Sequence, residues 1–317
     1  MRDHLTVDHP LDAPGRLEAL RRALAEPGIS DLARDTFGMQ RALHWLSATV
    51  AEVAHASPSI AFVLAARYTA QRAIQASVNQ HEIPTEATSG AGSHLQLASP
   101  PASEPGAARV MVPWRFNPEA VLLIDLDTRS AALATKDALT FGDEGMTRIG
   151  LKDARMRSVI LTGRADGVLD ETGAFSAVRD WSIFTSAVSL GIAERALKAA
   201  EAYAVERQQF GSNLVSFAGI RALLVDMHMR VSSLRALLDA ALTPPDVTST
   251  VPLTVLAAAG RTAVDVSLDA IQIHGGYGYM DEYPVAGLVR DAISMRARSS
   301  GRRSVTAAIA SERFRGG

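Results

Sequence analysis

Two short segments bring together residue types suited to holding a phosphorylated ligand. The first is Tyr203-Ala-Val-Glu206-Arg207-Gln208-Gln209-Phe210-Gly211. The guanidinium of Arg207 is a planar fork that matches a pyrophosphate, and the Phe210 ring can lie against a ring system. The same residues also read as a plain helix end, with a solvated arginine and an apolar capping contact before a glycine stop. The second segment is Gln272-Ile-His274-Gly275-Gly276-Tyr277-Gly278-Tyr279-Met280-Asp281-Glu282-Tyr283-Pro284, followed by Arg290-Asp291. Its glycines let a backbone approach a ligand closely, and Gln272 can hydrogen-bond that ligand from the last turn of a helix. A tight helix–helix connection would use the same residues. The dinucleotide-binding GxGxxG arrangement is excluded, because that motif sits between a strand and a helix and this one follows a helix.

Other chemistries have less support. The chain has no cysteine, which excludes disulfides, thiolate metal sites and a cysteine nucleophile. Its 8 histidines are scattered without HxxxH or HExxH spacing, so no zinc or iron site is expected. His274 beside the glycine turn reads as a helix-end cap or a ligand contact. Thr162-Gly-Arg-Ala-Asp-Gly167 reads as a turn in a strand-rich region. No GxSxG elbow is present for serine hydrolysis.

Three regions of different texture must position these segments. Residues 1–77 read as an N-terminal helical domain. Leu17, Leu20 and Leu24 share one helix face ended by Pro27-Gly28. A longer helix is expected from about Asp31 to Ala56, and Ser57-Pro58 restarts another with serine as cap. Residues 78–175 read as a small, mostly antiparallel β domain. ARVMVPW, AVLLIDL and MRSVILTG are its strands, and Ser99–Gly106 is a loop or hairpin tip. Residues 176–317 are helical again. Phe217, Ile220, Leu224, Met227, Val231, Leu234 and Leu238 step alternately by 3 and 4, an apolar seam suited to antiparallel bundle packing. Pro244-Pro245 closes that helix, another runs from about Ser249 to His274 and stops at Gly275-Gly276, and a last one follows Arg302 with Val305, Ala308 and Ile309 inward. Helices, strands and helices in blocks predict an α+β, mainly α architecture.

The bulk properties bound the function. A chain of 317 residues, 47% hydrophobic and 21% charged, can bury a large core. Its net charge of -2 lacks the basic footprint of a nucleic-acid binder. No apolar run of membrane-spanning length is read from the sequence, and Met1–Gly15 lacks the apolar stretch of a secretory signal. A cytoplasmic protein that binds neither nucleic acid nor membrane is expected.

Taken together and in order, ERQQFG, FAGIRALLVDM, IQIHGGYGYMDEYP and RDA closely resemble the acyl-CoA dehydrogenase family. The resemblance is strong from about Ala177 to Asp291, and GMTRIGLKDARMRSVIL looks like the end of that family's middle β domain. It implies an N-terminal helical domain, a reduced middle β domain and a C-terminal four-helix bundle. It also implies FAD, an acyl-CoA thioester as substrate, oxidation between its α and β carbons, and electron-transfer flavoprotein as a possible acceptor. Arg207, Gln209 and Phe210 match the positions that reach the FAD of a neighbouring subunit. Gln272, Gly275 and Gly276 match those near its adenosine and pyrophosphate part. An oligomer is therefore implied.

The chain departs from the family where the proton is removed. That step needs a carboxylate base, usually a glutamate a little beyond the RDA motif, and the position here is Ser299. The alternative base position, on the first helix of the C-terminal domain, falls on Trp181, with Asp180 adjacent as a weak candidate. Thr88-Ser-Gly-Ala-Gly-Ser93-His94 is the nearest thing to the family's flavin-holding loop, and it lacks that loop's acid, proline and final aspartate. No residue is thus assigned as the base. The sequence resembles the subunit lacking the catalytic glutamate in split, hetero-oligomeric acyl-CoA dehydrogenases, which act on bulky, steroid-derived thioesters. A catalytic paralogue is then the expected partner. A self-sufficient homo-oligomer with a non-standard base, and a non-catalytic scaffold subunit, are the alternatives.

Overall fold

The computed structural model describes residues 29–77, 109–113, 120–126, 128–142, 149–161, 167–243, 249–299 and 302–314. The helix of Leu17–Leu24, the Ser99–Gly106 loop, the Thr88–His94 segment, residues 162–166 and Pro244-Pro245 lie outside these residues. Helix α1 spans Ile29–Ala56 and bends at Gly38, whose φ of 72° no α-helix accommodates. Helix α2, Pro58–Ala76, begins as expected: the Ser57 hydroxyl accepts from the Ile60 N–H and proline occupies the first turn.

Six short strands follow: β1 Arg109–Pro113, β2 Ala120–Asp125, β3 Ser130–Thr135, β4 Leu139–Phe141, β5 Met156–Leu161 and β6 Gly167–Val168. They form two antiparallel sheets, ordered β1-β5-β4 and β2-β3-β6. Arg109 lies opposite Ile160, and Ala120 opposite Thr135. Strand β2 is buried at every position because both its faces are covered. Leu122 and Ile124 face the helices, whereas Val121 and Leu123 join Val112, Leu139 and Val159 between the sheets. This two-sided burial explains the unbroken apolar run AVLLI.

Helix α3 covers Glu171–Glu206. It starts ahead of the expected residue 176 because the Asp170 carboxylate caps it by accepting from the Gly173 N–H at 2.8 Å. The expected boundary at 175/176 therefore falls inside this helix. It packs against α1 and α2 on one side and against the C-terminal helices on the other. A two-strand hairpin, β7 Gln208–Gln209 with β8 Ser212–Asn213, leads to α4, Ala218–Leu242. Leu224, Met227, Val231, Leu234 and Leu238 of the predicted seam are buried on α4. Helix α5 runs Val251–His274, α6 Val285–Ser299 and α7 Arg302–Arg313, with Val305 and Ala308 buried.

One expectation needs correction. The stretch Val251–Tyr279, α5 with its following turn, is long and apolar enough to cross a membrane by length and composition. It is instead a helix of the bundle, its apolar face packed by α3, α4 and α6 and its other face, with Arg261 and Leu268, exposed.

Candidate functional site

The two singled-out segments meet in space. Arg207 caps the C-terminus of α3, and its N–H donates to the Tyr203 carbonyl at 2.8 Å. Its guanidinium lies over the face of Tyr277, 4.9 Å from the ring centroid. Tyr203, one turn back, stacks on His274 with centroids 4.2 Å apart and planes at 20°. Tyr283 closes edge-on against both, at 5.7 Å from Tyr203 and 5.4 Å from His274. The end of α3 and the glycine turn after α5 are thus parts of one surface.

The glycine turn is an open cradle. Gly275 ends α5 at φ 59° and ψ −136°, a backbone that L side chains rarely adopt. Nothing lies within 4 Å of where a Cβ would stand on Gly275 or Gly276. Both glycines and Gln272 are exposed. His274, just before them, is buried. Its Nδ1 is 2.7 Å from the Ala270 carbonyl, which can only accept, so Nδ1–H is the donor. Burial holds its pKa below the usual imidazole range, and the Ala270 hydrogen bond opposes that only in part. Of the two sequence readings of His274, the geometry is that of a helix-end residue packed within the fold.

Beside the cradle stands the hairpin. Phe210 and Gly211 both have positive φ, 50° and 79°. Two successive left-handed residues are the requirement of the tight turn that matches strand twist, where Asn-Gly is favoured. A phenylalanine there is strained. Its ring is 93% exposed and touches Phe217 edge-on. Gln209 is exposed beside it. A strained, exposed aromatic is unexplained by packing.

Around the candidate base positions the picture is different. Asp180 is fully buried, with Arg72 Nε and Arg179 Nε each 2.7 Å from its carboxylate. Burial alone would raise its pKa, but the charges and hydrogen bonds of Arg179 and Arg72 together hold it below the usual carboxylate range. A carboxylate so held is an ion-pair partner and a weak proton acceptor. Trp181 is 1% exposed and packs edge-to-face on Phe62 of α2 at 5.8 Å. Ser299 is the last residue of α6. The aspartate of the RDA motif, Asp291, has a role that sequence reasoning missed. Its Oδ1 accepts from the Leu151 N–H at 2.6 Å, tying α6 to the end of the β region. The preceding Gly150 approaches so closely that a Cβ there would stand 2.2 Å from the Arg290 carbonyl oxygen.

The helix–sheet–helix order is that of the acyl-CoA dehydrogenase fold. A family model for the acyl-CoA dehydrogenase C-terminal domain matches residues 182–314. The short-chain specific acyl-CoA dehydrogenase of Megasphaera elsdenii is 41% identical over 138 residues, 40% of this chain and 36% of that protein. The probable acyl-CoA dehydrogenase YngJ of Bacillus subtilis is 33% identical over 183 residues, 55% of this chain and 46% of that protein. The matched stretch therefore spans less than half the length of these relatives. The solved structure of butyryl-CoA dehydrogenase from Megasphaera elsdenii superposes with a TM-score of 0.71 over 93% of this chain and 88% of that one, at 19% identity. The chain is thus similar to acyl-CoA dehydrogenases by sequence in its C-terminal domain, and shares their fold over nearly its whole length.

Proposed function

We propose that this chain is a flavoprotein subunit of the acyl-CoA dehydrogenase kind that binds FAD at a subunit interface and works with a catalytic paralogue. The residues present fit the cofactor. The open cradle at Gly275 and Gly276 admits a pyrophosphate against the backbone, Gln272 reaches out from the last turn of α5, and Arg207 supplies positive charge beside them. Phe210 and Gln209, projecting on the hairpin, suit contact with the flavin of a neighbouring subunit. FAD when bound supplies the hydride acceptor for α,β-dehydrogenation of an acyl-CoA thioester, steroid-derived in this reading. Electron-transfer flavoprotein is the proposed acceptor and the cytoplasm the proposed location.

The observation that carries the split-subunit reading is the state of Asp180. It is the carboxylate nearest a family base position, and it is sealed in the α2–α3 interface between two arginines. With Trp181 at one base position and Ser299 at the other, the partner is left to remove the proton. The test is co-expression with a full-length paralogue, followed by flavin-to-chain stoichiometry and turnover with an artificial electron acceptor. One flavin per pair of unlike chains, with an inactive chain on its own, is expected. Robust turnover by the purified homo-oligomer would overturn the reading in favour of a self-sufficient enzyme. A soluble, flavin-free assembly with the paralogue would favour a scaffold.

A further inference from the structure

The guanidinium of Arg207 is half-buried, and among the described residues it has no carboxylate partner; its one neighbour of opposite character is the π face of Tyr277. That ring is itself set by other rings. It meets Tyr283 at 5.9 Å, nearly edge-on, and Tyr283 is wedged against the stacked pair of Tyr203 and His274. Tyr203 lies one helical turn before Arg207 and accepts its backbone N–H. The side chains therefore form a chain of contacts from Arg207 through Tyr277, Tyr283 and His274 to Tyr203, closed by the backbone hydrogen bond between Tyr203 and Arg207. The turn carrying Tyr277 is seated on α5 by Gly278, where a Cβ would stand 2.9 Å from the Ile271 carbonyl oxygen.

Three of these contacts, Arg207–Tyr277, Tyr203–His274 and Tyr203–Tyr283, cross between the end of α3 and the end of α5 with the turn after it. A flexible arginine on a surface samples many rotamers, and fixing it on a ligand costs conformational entropy. An aromatic face beneath the guanidinium removes part of that cost in advance while leaving the N–H donors at its rim free for an anion. We propose that Tyr277 is a positioning residue, the platform that holds the Arg207 guanidinium where it meets the pyrophosphate of the dinucleotide, and that the Tyr203–His274–Tyr283 stack holds the platform. This rests on the reading that the cradle binds FAD.

Tyr277 is 40% exposed, so its replacement does not open the core. In the flavin-binding oligomer, Tyr277→Leu is expected to raise the Kd for FAD roughly tenfold, and Tyr277→Phe to restore it, since the face and not the hydroxyl is used. The double variant Arg207→Ala, Tyr277→Leu is expected to bind FAD no more weakly than Arg207→Ala alone, because Tyr277 acts through Arg207. Additive losses would overturn the proposal. A second measurement needs no flavin: phenylglyoxal modification of the apoprotein, followed at Arg207 by mass spectrometry. Faster modification in Tyr277→Leu, and the unaltered rate in Tyr277→Phe, are expected; equal rates in all three proteins would overturn the platform. A wild-type oligomer that takes up no FAD would sink the flavin reading and the pyrophosphate contact with it, while the modification rates would still decide the platform.

Discussion

Phe210 shows how a single residue can work against its own fold. Its φ of 50° and its exposure each cost stability, and neither is repaid by burial within the chain. Asparagine tolerates the left-handed region better. Phe210→Asn is therefore expected to leave the melting temperature unchanged or raise it by an amount worth about 0.5–1 kcal/mol, while flavin retention in the assembled oligomer falls. A variant that retains flavin as wild type does would place Phe210 outside the site. His274 makes an opposite contribution. Its folded pKa lies below its unfolded one, so the unfolded chain binds the proton more readily. The stability from the neutral ring is present above the unfolded value, about 6.5, and is lost as pH falls through it towards the lower folded value. Wild type is expected to lose more stability than His274→Phe between pH 8 and pH 5, measured by denaturant midpoint. Parallel losses would show that the ring is protonated without cost.

At the scale of elements, the α2–α3 contact is held by charge as well as by apolar packing. Arg72 is 2% exposed and Asp180 fully buried, with Arg179 closing the other side of the carboxylate. Removing one member of a buried ion group leaves the others uncompensated, which costs about 3–5 kcal/mol. Asp180→Ala should show this loss in thermal unfolding, without any specific effect on the flavin affinity of whatever folded protein remains. If the variant folds normally and loses only turnover, Asp180 is chemical and not structural. Helix α4 gives a second check. Leu224 lies on the buried seam, so Leu224→Asp places a carboxylate there without a partner and should remove soluble assembled protein. An assembled, soluble variant would mean that the seam is not the packed face.

The molecule as a whole depends on how its sheets are fastened to its bundle. Gly150 and Asp291 form that fastening, one by lacking a side chain and the other by accepting the Leu151 N–H. Gly150→Ala forces backbone to move, because the obstructing atom is the Arg290 carbonyl oxygen and not the end of a flexible side chain. A cost of about 1–3 kcal/mol is expected, with hydrogen exchange increased in β5 and in α6 while the α4–α5 pair is unchanged. Exchange confined to the mutated loop would show that the two regions are not coupled there.

Much of this protein was legible in the sequence because the relevant patterns are local. The seam of α4 follows from 3.6-residue geometry, the start of α2 from Ser57-Pro58, and the glycine stop of α5 from a backbone that only Gly275 adopts easily. The family motifs were likewise contiguous. Strands β3, β4 and β6 were less visible: SAALAT is alanine-rich and carries no clear alternation, and its strand character comes from pairing with β2 on one side and β6 on the other. The start of α3 was placed too late because a single capping carboxylate, Asp170, extends a helix whose packing partners are far away in sequence. Only the tertiary structure decided that Asp180 is bound by Arg72, which lies 108 residues away. Only it decided, too, that Arg207 and Tyr277 share one surface. Contacts of that kind arise when distant helices close on one another, and spacing along the chain contains no record of them.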